Sequence, residues 1–205
     1  MPRQPPAAPR KRPRQERARA TVDAMLEATA RVLVEDGYEG TTTKRVAEVA
    51  GVSIGSLYQY FPSKEALVGG LCERFAERVL LLCEGLKARR GEALETAVPD
   101  MVRALVAIYA ENPRLQRVLV EQLPRLEGLA VLREAEARME SLLRGELVRL
   151  RESLRPQNVD LAVFVLLRAL RSVTWSVVLE RPELLEDPAL VEELSALLLG
   201  YLLPR

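Results

Sequence analysis

The sequence predicts an all-α protein, and three observations carry that expectation. Leu, Ala, Glu and Arg dominate almost every window of the 205 residues, and all four are strong helix formers. No stretch sustains the alternation of β-branched and polar residues that marks a half-buried strand. Gly and Pro fall instead at the ends of apolar-periodic runs, where they stop helices. Apolar residues make up 48% of the chain, enough to build a core.

The elements follow in order. Residues 1–15 carry Pro at 2, 5, 6, 9 and 13, cannot hold a helix, and are expected to form a disordered tail. A first helix is expected over about 17–36, with Val22, Met25, Leu26, Thr29, Ala30 and Leu33 on one buried face. Gly37 suits the left-handed position that follows a helix. Thr41 or Thr42 opens a short helix over about 43–50, its hydroxyl accepting an orphan backbone N–H. Gly51 breaks that helix, and Ser53 opens the next, over about 54–60. Pro62 ends it, and Ser63 opens a longer helix reaching about 89. Two short helices around a tight Gly-containing turn are a helix-turn-helix. Ala47 is small where the two cross, Gly51 permits a positive φ in the turn, and Leu57 anchors the second helix.

Breaks at Gly91, Asn112-Pro113, Pro124 to Gly128, Pro156 to Asn158, Pro182 and Pro188 delimit the second half. They leave helices over about 93–111, 114–122, 129–154, 159–180 and 189–202, joined by short loops that imply antiparallel neighbours. The expected domains are a tail over 1–15, a helix-turn-helix domain over 16–62 and a helical domain over 63–205.

Charge and composition narrow the function. Residues 1–20 hold seven basic side chains and one acidic, a net +6 that leaves −5 on the other 185. A basic end on a mildly acidic body fits either a polyanion partner or a solvated tail. There is no histidine, the commonest general base and metal ligand. Nor is there a Gly-rich phosphate loop, a Cys/His cluster or a nucleophile elbow. No enzyme, cofactor or metal site is expected. Cys72 and Cys83 lie 11 residues apart on one expected helix. That places them about 16 Å from each other, too far to pair, and implies a reducing compartment unless one serves as a redox sensor. The most apolar run, 161–179, has Arg168 and Arg171 near its middle, which argues against a membrane span. No apolar run follows the basic N-terminus, so a secretory leader is not expected, and the protein is expected in the cytoplasm.

The stretch "GVSIGSLYQYFPSKEAL" (51–67) concentrates hydroxyls, phenols, an amide and an amine. Few of these make good core, and all can hydrogen-bond a phosphate or a base edge. The longer segment "GYEGTTTKRVAEVAGVSIGSLYQYFPSKEALV" (37–68) resembles the DNA-binding signature of the TetR family of bacterial transcriptional regulators. The match includes Gly37-Tyr38, Thr42, Val46-Ala47, Ala50-Gly51-Val52-Ser53, Gly55, Leu57-Tyr58, Tyr60-Phe61 and Ser63-Lys64-Glu65. The resemblance is close over about residues 17–70. Beyond that it rests on helix number and length.

The resemblance implies a ligand-responsive repressor that binds double-stranded operator DNA of inverted-repeat symmetry as a homodimer. It implies that the second short helix enters the major groove. Ser53, Ser56 and Gln59 would then reach base edges or nearby phosphates, and Gly55 would let the backbone approach closely. Tyr58, Tyr60 and Lys64 would hold phosphates around that helix, with Thr42, Lys44 and Arg45 beside the first. Ile54 departs from the polar residue common at its position, so a thymine methyl contact replaces a polar one there, or a contact is missing. Phe61, Leu57 and Val52 are expected in the core.

The second half is then the effector-binding and dimerising domain. Met101, Tyr109, Gln122, Met139, Phe164, Arg168 and Trp175 are its candidate contacts to an apolar small molecule, although most would also suit an ordinary core. Arg168 lies in the apolar run "VFVLLRALRSV". If buried it needs a partner, either an acidic ligand or a Glu of the same or the other subunit. The helix over 159–180 is apolar nearly all round and wants cover on two sides. With the apolar stripe of 189–202 it suits a homodimer interface. Other readings are a constitutive or activating DNA-binding regulator, and a helical enzyme or carrier. The missing catalytic groups and the helix-turn-helix weigh against the last.

Overall fold

The computed structural model describes residues 16–88, 91–126 and 130–204. The basic tail 1–15 lies outside them. Among the described residues the regular elements are all helical. The chain divides into two compact units. One comprises residues 1–76 and 117–133, the other 77–116 and 134–205.

The first unit is built on α1 (Glu16–Gly40), α2 (Thr43–Ala50), α3 (Ile54–Tyr60) and the start of α4 (Lys64–Ala88). Met25, Leu26, Ala28, Thr29, Val32 and Leu33 form the buried face of α1, and the Thr29 hydroxyl donates to the Met25 carbonyl at 2.7 Å. Val22 and Ala30, expected on that face, are only half-buried. At Gly37 the backbone turns to φ 67, ψ 178, a conformation essentially reserved for glycine. One further turn follows the kink, so α1 runs to Gly40.

The turn chemistry around the two short helices is local. The Thr42 hydroxyl accepts the Arg45 N–H at 3.1 Å, which settles the cap in favour of Thr42 over Thr41. Thr41 is buried, and its hydroxyl donates to the Gly37 carbonyl at 2.7 Å. Gly51 takes φ 67, ψ 29 and closes α2, with the Val52 N–H donating to Ala47. The Ser53 hydroxyl caps α3 by accepting the Ser56 N–H, and Ser63 caps α4 by accepting from Ala66. Val46, Ala47, Leu57, Phe61, Ala66, Leu67 and Val68 are buried and form the core of this unit. Val52, expected with them, is half-buried. Phe61 and Leu26 close over Gly70, where a Cβ would come within 3.1 Å and 3.0 Å of their side chains.

The second half contributes α5 (Leu94–Ala110), α6 (Pro113–Leu126), α7 (Ala130–Arg149), α8 (Val159–Glu180) and α9 (Pro188–Leu202). Two departures from expectation have physical reasons. α6 does not stop short of Pro124 but runs through it to Leu126. A proline in the last turn removes one intrahelical bond, a smaller loss than in mid-helix. α7 ends at Arg149 rather than near 154, and a 3₁₀ turn follows over Arg151–Ser153. There Leu154 is buried and the Arg155 N–H donates to the Leu202 carbonyl at 2.8 Å, so the chain turns to meet the end of α9. Pro182–Glu186 forms another 3₁₀ turn, with Leu185 buried. Asn158 and Asp187 cap α8 and α9.

Within the second unit α5 packs on α9. Val98, Val102, Leu105, Val106, Tyr109, Leu166, Val178, Leu194 and Leu198 are buried. By length and composition alone α8 could cross a membrane. Its Ala162, Val163, Leu166, Thr174, Val177 and Val178 are buried inside this unit, as in the core helix of a bundle.

Candidate nucleic-acid interface and ligand cavity

The helix-turn-helix presents one polar face to solvent. Thr42, Lys44, Arg45, Ser53, Ile54, Gly55, Tyr58 and Gln59 are exposed, while Ser56 and Tyr60 are half-buried. The caps consume only the acceptor side of the Thr42 and Ser53 oxygens, so both hydroxyls keep a proton to donate. The Tyr58 and Thr43 hydroxyls lie 3.0 Å apart and brace α3 against α2. Arg45 stands 3.7 Å from both Glu35 and Asp36, which steers its guanidinium without burying it. Gly55 is informative because no contact among the described residues requires it. A Cβ there would meet only the Ser53 hydroxyl, at 4.0 Å. Glycine inside a helix costs about 1 kcal/mol relative to alanine, so its use at an open position fits close approach by something outside the chain.

Lys64 is placed differently from the other expected contacts. Its ammonium donates to the Tyr38 carbonyl at 2.8 Å and lies 4.2 Å from the centre of the Tyr38 ring. The Tyr38 hydroxyl donates to Glu65 at 3.3 Å. Partial burial raises the Glu65 pKa. Its own backbone N–H, the Ser63 and Tyr38 hydroxyls and the Lys64 charge together outweigh that, and the net direction is down. Tyr38, Thr43 and Glu65 are thus parts of the site that side-chain chemistry along the sequence did not assign. Tyr38 and Glu65 stood in the matched signature, but the contacts span 26 and 27 residues.

In the second unit a cavity of about 130 Å³ is lined by Met101 and Met139, together with Cys83, Leu94, Val98, Leu142, Leu147, Leu166, Leu170 and Leu198. Glu92, Glu146 and Arg149 supply its polar wall, and Arg149 donates to Glu146 at 2.8 Å. Of the seven effector contacts expected from sequence, only Met101 and Met139 line this cavity. Gln122 belongs to the first unit. Tyr109 is buried, and burial raises its pKa against bonds from Thr174 and Trp175 that lower it. Phe164 faces solvent, 54% exposed. Arg168 is not buried: its side chain is 37% exposed and it pairs with Glu136 of the same chain at 3.0 Å. Arg171 shares that carboxylate, and its guanidinium lies 4.8 Å from the Trp175 ring centre.

Cys72 and Cys83 are both free. Burial pushes the Cys72 thiol up to about 12, and burial with the neighbouring Glu84 raises Cys83, so both are poor nucleophiles at neutral pH. Among the described residues no group of His, Cys, Asp or Glu could hold a metal ion.

These features meet their counterpart in known proteins. The family model for bacterial regulatory proteins of the tetR family matches residues 25–71, which span the helix-turn-helix. The tetracyclin repressor-like C-terminal domain matches residues 93–202, more than half of the chain. The chain belongs to the TetR family. The members of that family are DNA-binding transcriptional regulators that act as dimers and are not enzymes, and ligand-responsive repression is typical of them.

Among curated relatives, the nucleoid occlusion factor SlmA of Glaesserella parasuis is 31% identical over 127 residues, covering 62% of this chain and 56% of that protein. This chain thus spans about half the length of the SlmA proteins it matches. Solved TetR-family structures share the fold over nearly the whole chain. A putative regulator from Mesorhizobium loti superposes with a TM-score of 0.71 at 20% identity, covering 93% of this chain and 100% of that one. The fatty acid degradation regulator FadR of Bacillus halodurans gives 0.69 at 23% identity, covering 88% and 95%.

Proposed function

We propose that this chain is a repressor that holds an inverted-repeat operator as a homodimer and releases it when an apolar small molecule enters the cavity of the second unit. The exposed polar face of α3 carries this reading, with a bare Gly55 in its first turn that no contact among the described residues requires. Ser53, Ile54, Gly55, Ser56 and Gln59 meet base edges and adjacent backbone. Thr42, Lys44, Arg45, Tyr58 and Tyr60 grip phosphates on either side. Residues 16–62 form the DNA-binding domain and 63–205 the effector and dimerisation domain. α4 serves both, since it begins beside the helix-turn-helix and its Cys83 lines the cavity. The cavity wall is mostly apolar, and of its three charged groups Glu146 and Arg149 pair with each other, which favours an apolar effector. Dimerisation uses the solvent-facing sides of α8 and α9. The protein acts in the cytoplasm, without catalysis or a bound cofactor.

Gln59→Ala tests the assignment of base reading to α3. The expected loss is about 1–3 kcal/mol on the matched operator, with little change on a scrambled duplex. Fluorescence titration against both duplexes at several salt concentrations measures it. Equal weakening on both would make Gln59 a phosphate ligand and move base reading to Ser53 or Ser56.

A further inference from the structure

A lysine at the start of a helix is electrostatically misplaced, because the macrodipole is positive there. At Lys64 three nearby groups offset this. The Tyr38 carbonyl accepts from its ammonium at 2.8 Å, the Tyr38 ring lies 4.2 Å away, and Glu65 follows in sequence. Tyr38 meets Glu65 as well, through its hydroxyl at 3.3 Å. One residue at the end of α1 therefore holds two consecutive residues of α4 by its carbonyl, its ring and its hydroxyl.

The same end of α1 is fixed on its other side. Glu35 and Asp36 face Arg45 of α2, and the Thr41 hydroxyl and N–H both donate to the Gly37 carbonyl. The last turn of α1 is thus tied to α2 and to α4 at once. An ammonium that leaves for a phosphate gives up a charge-assisted hydrogen bond and a cation–π contact.

We infer that Tyr38, Lys64 and Glu65 form a clamp that sets the angle of α4 against the helix-turn-helix, and that Lys64 is a positioning residue for DNA recognition rather than a phosphate ligand. The inference goes beyond the contact set proposed above and rests on it only in that the helix-turn-helix binds DNA.

Lys64→Met keeps the stem and removes the charge. It is measured on the full chain, alone and with Tyr38→Leu, at a temperature where circular dichroism shows every variant fully folded. Operator affinity is expected to fall about tenfold at each salt concentration, with the slope of log K against log salt unchanged. The two substitutions are expected to be non-additive, as partners in one contact are. A slope shallower by about 0.9, one phosphate's worth of counterions, with additive losses would make Lys64 a phosphate ligand and overturn the clamp. Unchanged affinity with a lowered melting temperature would overturn it too, leaving only a structural brace. Should Tyr38→Leu fail to fold, the affinity and slope of Lys64→Met alone still decide between these outcomes.

Discussion

Phe164→Asp is expected to leave the chain folded and to weaken operator binding at least a hundredfold, roughly 3 kcal/mol. Phe164 is 54% exposed, Leu161 on the same helix 55%, and Leu197 on α9 52%. Three large apolar side chains on the two last long helices face water in the single chain. Covering such groups stabilises by about 1.5–3 kcal/mol each. A carboxylate at 164 costs little in a lone subunit, because it stands four residues before Arg168 on α8 and gains an ion-pair neighbour. In a closed two-fold interface the same carboxylate meets apolar surface and loses its hydration. Sedimentation together with operator titration reads both effects. A variant that stays dimeric and binds normally would place the interface elsewhere.

Phe61→Ala is expected to cost about 3–5 kcal/mol of folding stability, a large share of the roughly 5–15 kcal/mol that holds a typical domain. The ring is 2% exposed and closes over Gly70, so its removal leaves a void that the backbone of α4 cannot easily fill. Loss of DNA binding in this variant would come from a lowered folded fraction, not from a lost contact. Phe61→Leu, which refills most of the volume, should recover most of the loss. Urea unfolding midpoints measure it, and a midpoint shifted by less than about 1 kcal/mol equivalent would mean that the site collapses around the gap.

The helix-turn-helix was legible because its determinants are local. Thr42, Ser53 and Ser63 each cap within three residues of themselves, and Gly51 takes the left-handed angle that its position demands. Short-range chemistry of that kind survives any tertiary context. The less legible features depend on distant partners. Pro124 looked like a helix end, but α6 absorbs it in its last turn. The end of α7 is set by the Arg155 bond to Leu202, 47 residues away, which no pattern around 150 announces. Arg168 sat in an apolar run and suggested burial, yet Glu136 from α7 holds it at a half-exposed edge. The lining of the cavity was hardest to foresee, because its methionines and leucines are also ordinary core chemistry. Only the packing of α4, α5, α7, α8 and α9 decides that Met101 and Met139 face the space while Trp175 and Tyr109 do not.

Selection of binding sites from a pool of random-sequence duplexes tests the central claim most directly, since it presupposes no operator. The wild-type chain should enrich an inverted repeat whose half-site centres lie about 34–36 Å apart, or a multiple of that. Gln59→Ala, carried through the same selection, should relax the base preference at one position of each half-site. A pool that stays random, or an asymmetric single site whose sequence is unmoved by changes on α3, would contradict the assignment of α3 as the element by which a two-fold dimer reads DNA.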